Sequence, residues 1–293
     1  MAARTKALEG LSWLADAQGD LDRAEAAAEE GLQLSTKAGI ESNLAASLQV
    51  RLAEAAETRG DYGRAKDLYE ESLSHYREAG DTRGIALTLG GLGTLYSDQG
   101  DYERAKQLYE EGLVIARKLG GPQLLGAFLN SLGHVSLLKG DPERAMALTE
   151  EAVTLLQEQG HRGGLEYALD NLGWAALLSG DHERAEVLHD QSLVLCKELG
   201  DRLIVSESLE GLACSAGIRG EGERAARLFG ASEALREAIG YRQVFGEHAL
   251  REPYLMAART SIAGEVWETA WKEGREMTFE EAVSYALRED INI

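Results

Sequence analysis

The chain has 293 residues and a formal net charge of −20, which disfavours contact with phosphate backbones and anionic lipid surfaces. Only 3 prolines and 6% aromatic residues are present, a composition typical of a helical chain. No apolar run approaches the ~20 residues that span a bilayer, and the N-terminus lacks the apolar core of a signal peptide. We therefore expect a cytoplasmic protein without direct nucleic-acid or membrane binding.

A glycine followed by an acidic residue recurs at a nearly constant interval. The intervals are 41, 40, 40, 40 and 40 residues, and self-similarity at such a period is the signature of a repeat protein. The dipeptides are Gly19-Asp20, Gly60-Asp61, Gly100-Asp101, Gly140-Asp141, Gly180-Asp181 and Gly220-Glu221. We therefore predict six repeats, at residues 1–39, 40–80, 81–120, 121–160, 161–200 and 201–240.

The third repeat illustrates how one unit is built. Leu89, Leu92 and Tyr96 follow one another at offsets of three and four, which predicts an amphipathic helix. Gly100 can take the left-handed conformation that ends a helix, and the Asp101 carboxylate can cap the free amides of the next helix. Each repeat is therefore predicted to be a helix, a tight turn and a second helix.

Small residues stand at one position of every predicted helix. A side chain larger than a methyl group there would hold two crossing helices apart, so these positions predict close packing. On the first helices they are Ser12, Ala53, Gly93, Gly133, Gly173 and Ala213. On the second helices they are Ala24, Ala65, Ala105, Ala145, Ala185 and Ala225.

The third repeat resembles the tetratricopeptide repeat. The residues that carry the resemblance are Leu92, Gly93, Tyr96, Gly100, Tyr102, Ala105 and Tyr109. The unit is 40 residues long rather than about 34, and glycine replaces the usual closing proline. Both departures resemble the MalT-like subclass of bacterial signal-transduction (STAND) ATPases. The resemblance implies an all-α, right-handed superhelical solenoid of helix-turn-helix repeats.

The 40-residue period stops where the sixth repeat ends. We expect residues 241–293 to form C-terminal capping helices, which a solenoid end requires, with Thr278 and Glu281 as a capping box. This segment also resembles the end of the sensor regions of such ATPases. Its aromatic residues either plug the last repeat or form a ligand box. They are Trp267, Trp271 and Phe279.

In tetratricopeptide arrays the first helices line the concave face, so the resemblance places a partner site there. Our candidate binding residues on this face are Trp13, Arg51, Glu54, Thr94, Asn130, His134, Tyr167, Asp170, Trp174 and Glu210. Aromatic surface beside hydrogen-bond acceptors suits a protein, a peptide or a ring-bearing small-molecule effector, and acidic character favours basic or neutral ligands. For Trp13 and Trp174, a packing role is an equally good alternative.

The sequence contains no motif for catalysis or metal binding. His182 and His189 are seven residues apart, not the one helical turn of a zinc protease, and both replace tyrosines of other repeats. Cys196 and Cys214 lack metal-binding or disulfide spacing, so we expect reduced, buried thiols. We predict a protein that is not an enzyme and has no metal or cofactor.

An arginine stands three residues after the cap position in every repeat. These arginines are Arg23, Arg64, Arg104, Arg144, Arg184 and Arg224. They can be read as a basic ladder for phosphate. We prefer the interpretation that each pairs with an acidic residue at helical spacing within its own repeat.

Two functions fit these observations. The first is the partner- or ligand-sensing part of a bacterial signalling ATPase or transcriptional regulator, whose other parts lie outside this sequence. The second is a free-standing scaffold that joins partners or copies of itself. The first repeat has no polar capping helix before it, so its end can make a homo-oligomeric contact.

Overall fold

The computed structural model describes residues 2–17, 20–39, 42–241 and 245–289. Within these ranges it contains 15 helices and no strand, which confirms the predicted all-α solenoid. The helices form two compact units, residues 1–121 and 122–293. None of the described helices is both long and apolar enough to cross a membrane.

The first unit consists of three helix pairs. Its helices are α1 (Ala2–Ala17), α2 (Leu21–Ala38), α3 (Ser42–Thr58), α4 (Tyr62–Ala79), α5 (Thr82–Asp98) and α6 (Tyr102–Leu119). The two helices of a pair pack along each other, and the second helix of one pair also packs on the first helix of the next. Consecutive first helices touch as well, so α1, α3 and α5 form one face, the first-helix face of this unit.

The second unit repeats this arrangement. Its paired helices are α7 (Pro122–Leu138), α8 (Pro142–Glu158), α9 (Leu165–Leu178), α10 (His182–Leu199), α11 (Arg202–Ile218) and α12 (Gly222–Ile239). Here α7, α9 and α11 touch and form the first-helix face. The repeat boundaries inferred from the sequence stay predictions, and residues 40 and 41 lie outside the described ranges.

A helical tail follows the last pair. It consists of α13 (Phe245–Thr260), α14 (Gly264–Arg275) and α15 (Phe279–Ala286). Helix α14 packs along α12, whereas α13 packs mainly on α11 and also contacts α7 and α12. The capping box at the start of α15 is confirmed, because Glu281 N donates to the Thr278 hydroxyl and Thr278 N donates to the Glu281 carboxylate.

Aspartates cap the second helices as predicted. Asp101 Oδ1 accepts a hydrogen bond from Arg104 N at 3.1 Å. The same cap is made by Asp20, Asp61, Asp141 and Asp181. Glu221 is an exception, because its carboxylate pairs with Arg219 at 2.9 Å and makes no side-chain cap. The glycine before each described cap has a positive φ, which only glycine adopts easily; Gly19 lies outside the described residues.

Glycines on the first helices permit close packing, as predicted. A methyl group on Gly93 would overlap the Tyr109 ring, and one on Gly173 would lie 2.7 Å from the His189 ring. Both rings belong to the second helix of the same pair. A missing side chain on one helix therefore makes room for a large side chain on its partner.

The recurring arginines connect different helix pairs. Arg64 of α4 donates to Glu25 at 2.7 Å and to Glu29 at 3.0 Å, both on α2. Arg184 of α10 pairs with Glu150 of α8. Our interpretation that each arginine pairs within its own repeat was therefore wrong for Arg64 and Arg184, because the long side chain reaches the preceding second helix. Such partly exposed pairs contribute little individually to stability.

The two cysteines are buried free thiols, as expected. Burial raises the pKa of both Cys196 and Cys214 above the ordinary value of a thiol. Since the thiolate is the reactive form, burial keeps both side chains unreactive at neutral pH.

Candidate partner-binding site

Four candidate residues lie on the first-helix face of the first unit. Trp13 is 59% exposed, and Thr94 is exposed as well. Arg51 pairs with Glu54 on the same helix at 2.7 Å. The Thr94 hydroxyl lies 3.1 Å from the phenol oxygen of Tyr109. This face therefore presents an indole and several polar groups to solvent.

The other six candidates lie in the second unit, where most are covered. The buried ones are Asn130, Asp170, Trp174 and Glu210. His134 and Tyr167 are partly buried, with ring centroids 6.3 Å apart. Trp174 is only 2% exposed, although it stands at the same repeat position as Trp13. Of the two interpretations that the sequence left open, Trp174 fits the packing role.

Helix α13 covers Trp174, Glu210 and His134, and its Arg251 is the central contact. Arg251 Nη1 lies 2.9 Å from Glu210 Oε2, and Nη2 lies 3.6 Å from Glu207 Oε1. The guanidinium carbon lies 5.0 Å from the centroid of the Trp174 ring, a cation–π arrangement. We call Glu207, Glu210 and Trp174 the acidic cage. All three belong to α9 and α11, whereas the arginine that fills the cage belongs to α13.

A second contact of α13 involves Glu247, one turn before Arg251. Glu247 Oε1 lies 3.7 Å from His134 Nε2, and both carboxylate oxygens accept from the Tyr241 hydroxyl at 3.2 Å. Burial lowers the pKa of His134, although Glu247 acts in the opposite sense. His134 is therefore held in its neutral form at neutral pH.

The electrostatics of the acidic cage depend on Arg251. Burial raises the pKa of Glu207 well above its ordinary value. Burial lowers the pKa of Arg251, but Glu210 and Glu207 outweigh this effect and raise it above the ordinary value. Arg251 therefore stays charged and supplies the positive charge that the buried Glu207 needs. Glu210 has a second cation, because Arg236 of α12 donates to its two carboxylate oxygens at 2.6 and 2.9 Å.

A buried polar network lies beneath the acidic cage. His189 Nδ1 lies 3.1 Å from Asp170 Oδ1, and the Ser208 hydroxyl donates to the same oxygen at 2.7 Å. His189 also packs edge-on against Trp174, at 5.6 Å between centroids. The network contains serine, histidine and aspartate, but the hydroxyl donates to the carboxylate and not to the imidazole. It therefore lacks the geometry of a nucleophile and its base.

In the first unit, Tyr69 stands at the repeat position of His189, and its partner Glu57 has a shifted pKa. The Tyr69 hydroxyl donates to Glu57 Oε2 at 3.2 Å. Burial, assisted by the charge of Asp98, raises the pKa of Glu57 from 4.5 to about 7. Folding therefore favours the protonated form of Glu57, and the folded chain is penalised when this group ionises.

Glu57→Gln is expected to stabilise the chain at about pH 8 by up to roughly 3 kcal/mol and to change nothing at about pH 4. The raised pKa means that the wild-type chain loses stability as the pH rises from 4.5 to about 7. Glutamine keeps an acceptor for Tyr69 but cannot ionise. Urea denaturation at both pH values measures the difference. Glu78→Gln, an exposed change on α4, is the control, and parallel pH profiles for wild type and Glu57→Gln would contradict the prediction.

The tail forms one side of an open pocket of about 600 Å³ between α12, α13 and α14. Trp267 is buried and packs against Phe229 at 6.2 Å between ring centroids. The Trp271 indole donates to Glu233 at 3.2 Å. Trp267 and Trp271 thus pack on the last helix pair and also line this pocket, whereas the Phe279 ring lies 5.4 Å from the guanidinium carbon of Arg202.

Sequence reasoning missed Arg251 and Glu247. The available signal was an acidic and a basic residue four positions apart on one face of a predicted helix. That signal is weak, because the segment lies beyond the periodic part of the chain and its positions have no counterparts in the repeats. Among the described residues, no cluster of three potential metal ligands occurs.

Comparison with known families identifies the class of protein. Tetratricopeptide-repeat models match residues 44–118, 168–203 and 6–30. No curated protein matches the chain. The chain therefore contains tetratricopeptide repeats, a helical-repeat class that offers extended binding surfaces, and no catalytic family is indicated.

Solved structures agree with this class. BtubC (BKLC) from P. vanneervenii has 22% identity and a TM-score of 0.59, over 76% of this chain and 93% of BtubC. A Rap protein complexed with competence and sporulation factor has 14% identity and a TM-score of 0.66, over 90% and 74% of the two chains. The Rap conjugation gene regulator of plasmid pLS20, in complex with the Phr peptide, has 14% identity and a TM-score of 0.62, over 91% and 75%. These likenesses establish the fold alone.

Proposed function

We propose that the chain is a non-catalytic binding protein that holds a protein or peptide partner on its first-helix face. One observation carries the proposal: in the second unit, this face already holds a helical segment, α13. In the first unit, equivalent positions such as Trp13 and Leu87 are exposed. A face that holds one segment of its own chain has the chemistry to hold a segment of another.

The charge of the chain favours a basic or neutral partner. The formal net charge is −20, so a basic partner is attracted at long range and an acidic one is repelled. The contact already present is of this kind, because Glu207 and Glu210 receive a guanidinium group. A basic protein surface or peptide is therefore the partner class that we favour.

The fold neighbours support a peptide partner by analogy. One Rap structure is a complex with the Phr peptide, and another is a complex with competence and sporulation factor. At 14% identity these relatives share the fold and not specific residues, so the analogy concerns the architecture only.

We infer that this binding serves a cytoplasmic sensor, part of a larger MalT-like signalling ATPase or transcription regulator, whose effector is a partner protein, a peptide or a small molecule. The alternative is a free-standing scaffold that also joins copies of itself. Exposed Leu14 on α1 favours the alternative, because the equivalent Leu95 is buried. Light scattering distinguishes the two functions by the mass of the particles in solution. If copies of the chain associate through α1, Leu14→Glu is expected to lower that mass, and if they do not, the mass stays that of one chain.

Leu87→Glu is expected to weaken partner binding about tenfold or more, because it puts a charge on an exposed apolar position of the first-helix face. Leu87 is 48% exposed on α5, two repeats before Tyr167. A partner recovered by co-purification and then purified serves for calorimetric titration against wild type and variant.

The matched control is Val114→Glu, which places the same charge on the second helix α6 of the same unit. Val114 is 52% exposed, so both variants change a similar solvent-facing aliphatic residue. Val114→Glu is expected to bind the partner like wild type. Equal binding by both variants, or equal losses, would rule out the first-helix face of this unit as the binding site.

A further inference from the structure

Few side chains anchor α13 to the repeats. Among its described side chains, Glu247, Arg251 and Ala258 are the buried ones. Their spacing of four and seven residues places them on one face of the helix. Two of the three are charged, whereas a permanently docked helix buries an apolar stripe. Ionic groups therefore occupy the buried centre of the contact between α13 and the first-helix face, and Ala258 with the half-buried Leu250 and Leu255 adds apolar contacts.

The Arg251 guanidinium can be replaced in this contact by an equivalent cation from another molecule. A buried ion pair gains little overall, because desolvation offsets the attraction between the charges. Emptying the acidic cage, in contrast, leaves Glu207 buried without a cation, whereas Glu210 keeps its pair with Arg236 of α12. Arg251 is thus hard to remove without a substitute, but another group of the same chemistry can take its place at little net change in free energy.

Arg251 fills the space of the acidic cage almost completely but leaves polar groups of the described residues without hydrogen-bond partners. Trp174 lines a residual cavity of about 10 Å³ together with Glu207 and Arg251, and its buried Nε1–H has no hydrogen-bond partner in the described structure. Arg251 Nε is also buried without a partner there. No carbonyl group of α13 accepts from this indole in the described structure, although Pro253 leaves the carbonyl of Ala249 without its helical donor. An extended peptide has free carbonyl groups beside its side chains.

We propose that the acidic cage is a receptor for an arginine side chain of an extended peptide, and that Arg251 occupies it as a competitor from the same chain. The inference deepens the proposed function and rests on it, since the peptide belongs to the partner. Arginine fits better than lysine, because a planar guanidinium can meet both Glu207 and Glu210 while stacking on Trp174. Peptide binding and release of α13 are then one coupled event.

The coupling has a measurable consequence. A site that is occupied most of the time by its own chain binds an external ligand with an affinity reduced by that occupancy. Removing the Arg251 side chain therefore frees the acidic cage and is expected to strengthen the binding of an arginine peptide. Most substitutions at a true docking contact weaken binding, so the direction of this effect is diagnostic.

A first experiment uses the guanidinium ion as a probe of the acidic cage. Arg251→Ala is expected to lower the thermal midpoint, and millimolar guanidinium chloride is expected to restore part of the loss, whereas ammonium chloride is not. Arg259→Ala removes an arginine of the same helix that is 55% exposed and pairs with Glu268, and it serves as the control. Equal responses to both salts, or no rescue, would overturn the guanidinium site.

A second experiment uses a labelled synthetic peptide with the sequence of residues 245–260. The full-length Arg251→Ala chain is expected to bind it about tenfold more tightly than wild type. A peptide with citrulline in place of the arginine at position 251, and with the arginine at position 259 kept, is expected to bind neither chain. Equal affinity of the two chains, or of the two peptides, would overturn the proposal.

If Arg251→Ala does not fold, the wild-type chain still provides a test. The added peptide is expected to accelerate hydrogen exchange in α13 of the chain itself, and unchanged exchange at saturating peptide would refute displacement. Neither probe requires the natural partner. If the chain binds its partner through Leu87 but binds neither guanidinium nor the peptide, this inference fails and the proposed function stands. If the chain binds the peptide but Leu87→Glu and Val114→Glu behave alike, the proposed binding face of the first unit fails instead.

Discussion

Trp174→Ala is expected to lower the free energy of unfolding by about 3–5 kcal/mol. The indole is 2% exposed, packs edge-on against His189 and has the Arg251 guanidinium over its face. Alanine removes all of these contacts and leaves a cavity that rigid helices on both sides cannot close. Urea denaturation followed by circular dichroism measures the loss.

Trp13→Ala is the matched control, because Trp13 occupies the same repeat position and is 59% exposed. Its substitution is expected to change the free energy of unfolding by less than about 0.5 kcal/mol. The two variants therefore make the same substitution at a buried and at an exposed position, so the difference between them measures the effect of burial on stability. Losses of similar size for both variants would mean that the two indoles have similar environments, against the structure.

Gly274→Ala is expected to destabilise the tail by about 3 kcal/mol. A Cβ atom at Gly274 would collide with the backbone carbonyl oxygen of Arg227 on α12, and one at Gly230 would collide with that of Trp271 on α14. The two helices thus touch backbone to backbone at a pair of glycines. Because a backbone carbonyl cannot rotate away, α14 has to move off α12.

Hydrogen exchange over α14 measures this displacement, and a red shift of tryptophan emission is expected as the buried Trp267 meets water. Gly264→Ala provides the control on the same helix, since no heavy atom lies within 4 Å of a Cβ at that position. That variant is expected to be at least as stable as wild type. Protection of α14 that is unchanged in Gly274→Ala would contradict the backbone contact.

Sequence periodicity predicted the fold because each repeat contains its own helix signals. Asp101 and its counterparts are local caps, and the glycines before them act through backbone conformation alone. Close packing at Gly93 and Gly173 was also predictable, since the large side chain that fills the gap comes from the same repeat. Interactions within about 20 residues were therefore accessible from the period and from helix geometry.

The covered part of the candidate site was not predictable in the same way. Trp13 and Trp174 share a repeat position, so any argument from register treats them alike. They differ because α13, which lies outside the period, covers Trp174, and because α9 lies between two first helices whereas α1 contacts one. The same limitation applies to Arg64, whose acidic partners lie on a different helix pair. Helical spacing within one helix cannot reveal contacts between successive pairs.

The arginine pairs between second helices also affect how the chain unfolds. In a linear array, cooperativity comes from the coupling between neighbours and not from the stability of each unit. Arg64 with Glu25 and Arg77 with Glu111 supply such coupling in the first unit, as Arg184 with Glu150 does in the second. Because these pairs are partly exposed, dissolved ions screen them. Raising the ionic strength is thus expected to weaken the ionic part of the coupling between successive helix pairs, while the packing of each second helix on the next first helix remains.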